Sequence, residues 1–144
     1  MAIKSIVTNL ARLRLISEPV IDFKEISLIV DNLLDTAIFE SKRGAGCVGL
    51  AMNQIGILER VIVVFVGGKW VVMINPVITD KYAGKTTGKE MCLSRPGVKT
   101  FKKRFKKIKV TYTDDNLDNR GLTLSRLSAR IVQHEVDHLD GIYI

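Results

Sequence analysis

Histidine and cysteine are scarce in this chain: its 144 residues include two of each. Cys47 and Cys92 cannot build the disulfide framework of a small secreted domain, and the first seventeen residues lack the continuous apolar block of a secretory signal. A reducing, cytoplasmic setting with both thiols free is the expectation. No apolar run is longer than Val61-Ile-Val-Val-Phe-Val66, which suits a strand and falls far short of a membrane span. Internal repeats, linkers and low-complexity tracts are also missing. With 47% hydrophobic residues, one domain over 1–144 with its own core is expected.

Acids are absent from residues 99 to 109, where Lys99, Lys102, Lys103, Arg104, Lys106, Lys107 and Lys109 supply much of a net charge of +7. With Phe101 and Phe105 interleaved, this run has the look of a nucleic-acid stripe. Ile108, Val110 and Tyr112 nevertheless alternate with Lys107, Lys109 and Thr111, the pattern of a strand with one wet face. A solvated strand is therefore the preferred reading.

Both histidines fall in Gln133-His134-Glu135-Val136-Asp137-His138. The preceding Leu124, Leu127, Ile131 and Val132 recur at helical intervals, which predicts one helix over about 122–138. On it His134 and His138 share a face one turn apart, where two imidazoles can hold one metal ion, and Glu135 can reach a water beside it. A catalytic site of this kind wants three protein ligands and one open position. Little chain remains downstream, so the third ligand must come from upstream: Cys47, Cys92 or a carboxylate. Cys92 precedes a Pro-Gly turn that can present a thiolate outward, whereas Cys47 reads more as buried filler.

Upstream, Leu13 to Val20 reads as extended or turn-like around Pro19. Ile26, Ile29, Val30, Leu33, Leu34, Ala37 and Ile38 predict an amphipathic helix that starts after Asp22, a possible N-cap, and ends before Gly44. The glycine-rich stretch 44–56 lets backbone approach a neighbour closely, and Gln54 is its one uncharged polar side chain long enough to project an amide N–H into a site. Arg60–Val66 and Lys69–Ile74, joined by Gly67-Gly68, predict a hairpin. Asn75-Pro76 is expected to close its second strand, with short strand and loop over 77–89. The fold class is therefore α+β: short antiparallel β-sheets packed around a central C-terminal helix carrying H-E-x-x-H, plus one N-terminal helix.

Cys47-Val-Gly-Leu-Ala-Met-Asn-Gln54, Glu90-Met-Cys-Leu-Ser94 and His134-Glu-Val-Asp-His138 occur in the order of the three motifs of the peptide deformylases, and the chain resembles that family almost end to end. The match begins as early as Leu13-Arg14, so a mature N-terminus rather than a cleaved presequence is expected. The chain departs from the family's pattern at Cys47, Met52 and Met91, where smaller residues are usual, and it ends at Ile144 without the C-terminal extension of some members.

The resemblance implies hydrolysis of the formyl group from the N-formylmethionine end of nascent polypeptides, by a monomer. Cys92, His134 and His138 would hold one divalent ion, Fe2+ by preference, with Zn2+, Ni2+ or Co2+ as substitutes. Glu135 would be general base and acid, with the Gln54 amide and the Leu93 backbone N–H stabilising the oxyanion. The substrate's methionine would lie against Leu127 and Ile131, with the peptide along Val48 and Gly49 and Met91 beside it. Formylated peptides are the expected partner, membranes are not, and the basic segment 99–109 is the candidate contact with the ribosome. Two rival functions follow from the residues: an amidase for a different N-acyl amine, suggested by Met52 and Met91, and a basic binding module with a structural metal.

Overall fold

Five strands run antiparallel in sequence order, and the chain reaches them through two N-terminal helices. The computed structural model describes residues 2–44 and 46–144; Met1 and Ala45, the latter in the glycine-rich stretch, lie outside the described residues. Helix α1 (Leu10–Leu13) is a single turn capped by the Asn9 side chain, too short to leave a periodic signal in the sequence. Helix α2 (Ile26–Lys42) buries Ile26, Val30, Leu33 and Ala37, the stripe read from the sequence. Its start differs from expectation. The Asp22 carboxylate accepts from the Lys24 N–H at 3.0 Å in a local turn, and the helix opens behind Glu25.

Strand β1 (Gly49–Ala51) leads into a 3-10 turn at Met52–Ile55 and lies at one edge of the sheet, beside β2 (Val61–Val66). The β2–β3 hairpin turns on Gly67 and Gly68 with φ of 60° and 80°, the twist that a two-residue hairpin demands. Strand β3 does not stop at Asn75-Pro76 but runs from Lys69 to Met91, 23 residues. Asn75 takes φ 51°, and its side chain both donates to and accepts from the Val20 backbone, at 2.9 and 2.8 Å. The dipeptide thus marks a bulge pinned by the loop before α2. Two further register shifts, ending at Tyr82/Lys85, let the strand bend instead of ending.

Strand β4 (Lys99–Thr113) pairs along β3 and alternates as expected, with Ile108, Val110 and Tyr112 buried and Lys107 and Lys109 exposed. The stretch 119–125 was expected to be connection and helix but forms β5 (Asn119–Ser125), hydrogen-bonded to β4. Leu122 and Leu124 lie two apart, which suits a strand, and the unpaired edge of β4 is satisfied by taking them. Helix α3 (Arg126–Leu139) begins at Arg126, which turns the chain with φ 56°.

The central strands are buried on both faces. Val61, Val63, Val72 and Ile74 pack with Leu33 and Ala37 of α2, while Ile62, Val64 and Met73 pack with Ala129, Val132, Val136 and Leu139 of α3. The sheet is therefore sandwiched between α2 and α3, and each fully buried aliphatic side chain contributes about 1.5–3 kcal/mol. The α+β class and the C-terminal helix over the sheet agree with the sequence reading, although all five strands form one sheet and two of them are long. Among the described residues, no helix is long and apolar enough to cross a membrane.

Candidate metal centre

Helix α3 presses His134, Glu135 and His138 against the sheet, so all three are buried. The His134 and His138 Nε2 atoms lie 3.2 Å apart, and Cys92 Sγ lies 3.2 Å from His138 Nε2. All three donor atoms fall within 4.8 Å of one another. Cys92 arrives there because β3 runs to Met91 and then turns, with the Arg95 N–H donating back to the Cys92 carbonyl. Cys47 is not in this cluster: its thiol meets the Gly49 carbonyl at 3.4 Å, and burial, with Glu135 nearby, pushes it up to about 12. The end of β3 thus brings Cys92, rather than Cys47, to the two histidines.

Around the donors is a second tier of groups. His134 Nδ1 bonds Glu90 Oε1 at 2.8 Å, which leaves Nε2 free to face Cys92 and His138. Glu90 also accepts two bonds from Arg104, both at 2.9 Å, and one from Arg130 at 2.8 Å. Arg104 reaches on to Asp137, so one guanidinium clasps carboxylates from β3 and α3. Burial works against a charged Glu90, but its bonds to His134 and Arg104 outweigh that and hold the carboxyl well below its usual range. Arg104 is raised despite its burial, by Glu90 and Asp137. Glu90 and Asp137 sit inside recognisable motifs, yet nothing along the chain says that both hold Arg104.

The donor set fits a metal ion. Burial lowers the His134 imidazole, but polar contact with Cys92 and Glu90 outweighs it and raises the group to about 10. His138, by contrast, is pulled down to about 3 by burial, with His134 beside it. With one sulfur and two ring nitrogens within 4.8 Å of one another, the three side chains form a donor set that a divalent ion can bridge. Thiolate plus two imidazoles is a tetrahedral donor set common to several such ions.

Glu135 is buried beside the cluster, and its Oε1 has no hydrogen-bond partner among the described residues. Burial pushes its carboxyl up to about 7. Gln54 comes from the 3-10 turn, where its Oε1 accepts from the Ala51 N–H at 3.0 Å. That fixes its Nε2, which donates to Ser94 Oγ at 3.1 Å and to Cys92 Sγ at 3.3 Å. The Leu93 N–H donates to no backbone carbonyl among the described residues. Gly49 lies against Glu135, Val48 is 40% exposed and Met91 56% exposed. Leu127 and Ile131, expected as one wall, part company. Leu127 is exposed and lines an open cavity of about 630 Å³ with Phe105 and Arg130, whereas Ile131 is buried in the core beneath α3.

The family model described as polypeptide deformylase matches residues 3–144. The peptide deformylase of Clostridium beijerinckii is 41% identical over 117 residues, which cover 81% of this chain and 82% of that protein. Among solved structures, the Thermotoga maritima peptide deformylase superposes with a TM-score of 0.90 at 31% identity, covering 99% of this chain and 95% of that one. The enzyme of Vibrio parahaemolyticus bacteriophage VP16T, solved in complex with actinonin, gives a TM-score of 0.86 at 34% identity, covering 97% and 99%.

Proposed function

This chain belongs to the polypeptide deformylase family, and we propose that its removal of the formyl group from nascent peptides runs on Cys92, His134 and His138 as holders of one divalent ion, with Glu135 as base and acid. The observation that carries the assignment is the meeting of one sulfur and two ring nitrogens within 4.8 Å, beside a buried carboxylate whose Oε1 has no partner among the described residues. Bound there, the ion supplies Lewis acidity that brings the pKa of water toward neutrality.

Glu135 takes the proton as the water oxygen bonds to the formyl carbon, whose carbonyl electrons move onto oxygen. The Gln54 Nε2–H, directed at the site by the Ala51 and Ser94 bonds, and the Leu93 N–H then face that oxygen. Glu135 returns the proton to the departing nitrogen as the C–N bond breaks, leaving formate and a free amine. The outer edge of β1, with Val48 just before it and Gly49 at its start, offers a docking strand for the peptide. Met91 flanks it, Leu127 offers an exposed apolar surface, and Ile131 supports the helix from beneath.

The resident ion is Fe2+, with Zn2+, Ni2+ or Co2+ able to take its place, because soft thiolate and imidazole donors accept all four. The chain acts as a cytoplasmic monomer with one catalytic domain over 1–144, and segment 99–109 is where it meets the ribosome. Anaerobic purification with metal analysis, followed by a formate-release assay on formyl-Met-Ala, tests the reading. Iron near one equivalent and activity that decays in air are expected; air-stable activity with zinc would overturn the iron assignment. Cys92→Ala should abolish metal uptake while Cys47→Ala retains it. Glu135→Gln should keep the metal and lose at least about 100-fold in kcat.

A further inference from the structure

The basic character of this chain is concentrated in one structural feature. Residues 80–91 of β3 and 99–109 of β4 hold nine lysines and Arg104 against Asp80 and Glu90, a net of +8 where the whole chain carries +7. Glu90 and Arg104 pair with each other beside the candidate metal ligands, and the lysines that remain are exposed apart from half-buried Lys102.

Along β4 the odd positions read Lys99, Phe101, Lys103, Phe105, Lys107 and Lys109, cation and ring alternating as far as Lys107, with successive members about 7 Å apart on a strand. The register places Lys89 opposite Phe101, Lys85 opposite Phe105 and Tyr82 opposite Lys107, so across the ladder each ring meets a cation. Lys85 Nζ sits 4.7 Å from the Phe105 ring and Lys107 Nζ 5.6 Å from the Tyr82 ring. Cross-strand pairing of this kind stiffens the hairpin and accounts for half-buried Phe105. It does not account for Phe101, which is 73% exposed, or for Tyr82 at 40%. A strand that needed only solvation would carry polar residues there.

From this pattern we propose that the β3–β4 hairpin is a docking surface for single-stranded RNA, with the lysines on phosphates and the Phe101 and Tyr82 rings on bases. Exposed rings between cations suit a polymer that offers flat bases between its charges. An acidic protein or an anionic lipid surface uses the charge and leaves the rings without work. The inference deepens the ribosome reading of segment 99–109 and adds β3 to it. It does not depend on the metal assignment.

The test uses the intact metal-loaded enzyme and a fluorescent 12-nucleotide uridine-rich RNA, read by anisotropy across a salt series. Binding that weakens as salt rises is expected. The triple substitution Lys103→Gln, Lys107→Gln, Lys109→Gln should reduce the slope of log K against log salt by about 2, at about 0.7 per lost phosphate contact. Phe101→Ala should weaken binding at least about fivefold at constant salt. Formate release from formyl-Met-Ala should be unchanged in both variants, which separates failure of this proposal from failure of the catalytic reading. Absence of RNA binding at low salt, equal binding of polyglutamate or anionic phosphatidylserine vesicles, or insensitivity to Phe101→Ala each overturns it.

Discussion

A Cβ on Gly49 would lie 2.7 Å from Glu135 Oε2 and 3.0 Å from its Cγ, so the strand beside the site passes only because that position has no side chain. Gly49→Ala must push the carboxylate aside. A loss of at least tenfold in kcat is expected, since displacement of a reacting group by about 1 Å costs on the order of 100-fold, with metal content unchanged by elemental analysis. In the proposed mechanism Gln54 is an oxyanion donor, so Gln54→Ala should lower kcat by about 10² to 10³. Glu90 is the buried anion on which His134, Arg104 and Arg130 converge. Because its folded carboxyl is held below the unfolded value, its contribution is present above the ordinary carboxylate pKa and is lost as pH falls through the folded one. Glu90→Gln should therefore lose about 3–5 kcal/mol at pH 7 in urea unfolding, and the difference from wild type should shrink steadily in acid.

At the level of elements, the chain reversals are held by residues with few alternatives. Gly141 follows α3 with φ 72°, and a Cβ there would sit 2.5 Å from the Arg14 carbonyl oxygen, a backbone atom that cannot swing away. Gly141→Ala should lower Tm by several degrees, through backbone strain and a clash that separates the end of α3 from the segment after α1. The elements that the sequence revealed were those with long, uninterrupted periods: the stripe of α2, the alternation of β4 and the Gly67-Gly68 hairpin. Those it obscured had short or interrupted ones. Asn75-Pro76 looks like a strand end but is a bulge, because the Val20 backbone supplies the partners that keep Asn75 in place. Leu122 and Leu124 can begin a helical stripe or form a strand, and the open edge of β4 decided for the strand.

For the whole molecule, a metal at Cys92, His134 and His138 would tie the end of β3 to the helix that covers the sheet. An ion that binds the folded chain alone stabilises it by mass action, about 4 kcal/mol at a thousandfold excess over Kd. Chelation should therefore lower Tm by several degrees, and adding back Ni2+ or Co2+ should restore it. A Tm indifferent to chelation would count against the site as a link between these elements.

The sequence by itself determined what long local periods and ordered motifs carry. Two histidines four residues apart share a helix face whatever the rest of the chain does, and three motifs in order identified the family without any coordinates. Only the tertiary structure decided which cysteine meets those histidines, that Arg104 joins Glu90 to Asp137, and that lysines from two strands share one ladder with Phe101 and Tyr82. Such pairings are set by where strands end and by the register between them. Register follows from burial and bulges spread over the whole sheet, so no short stretch of residues encodes it.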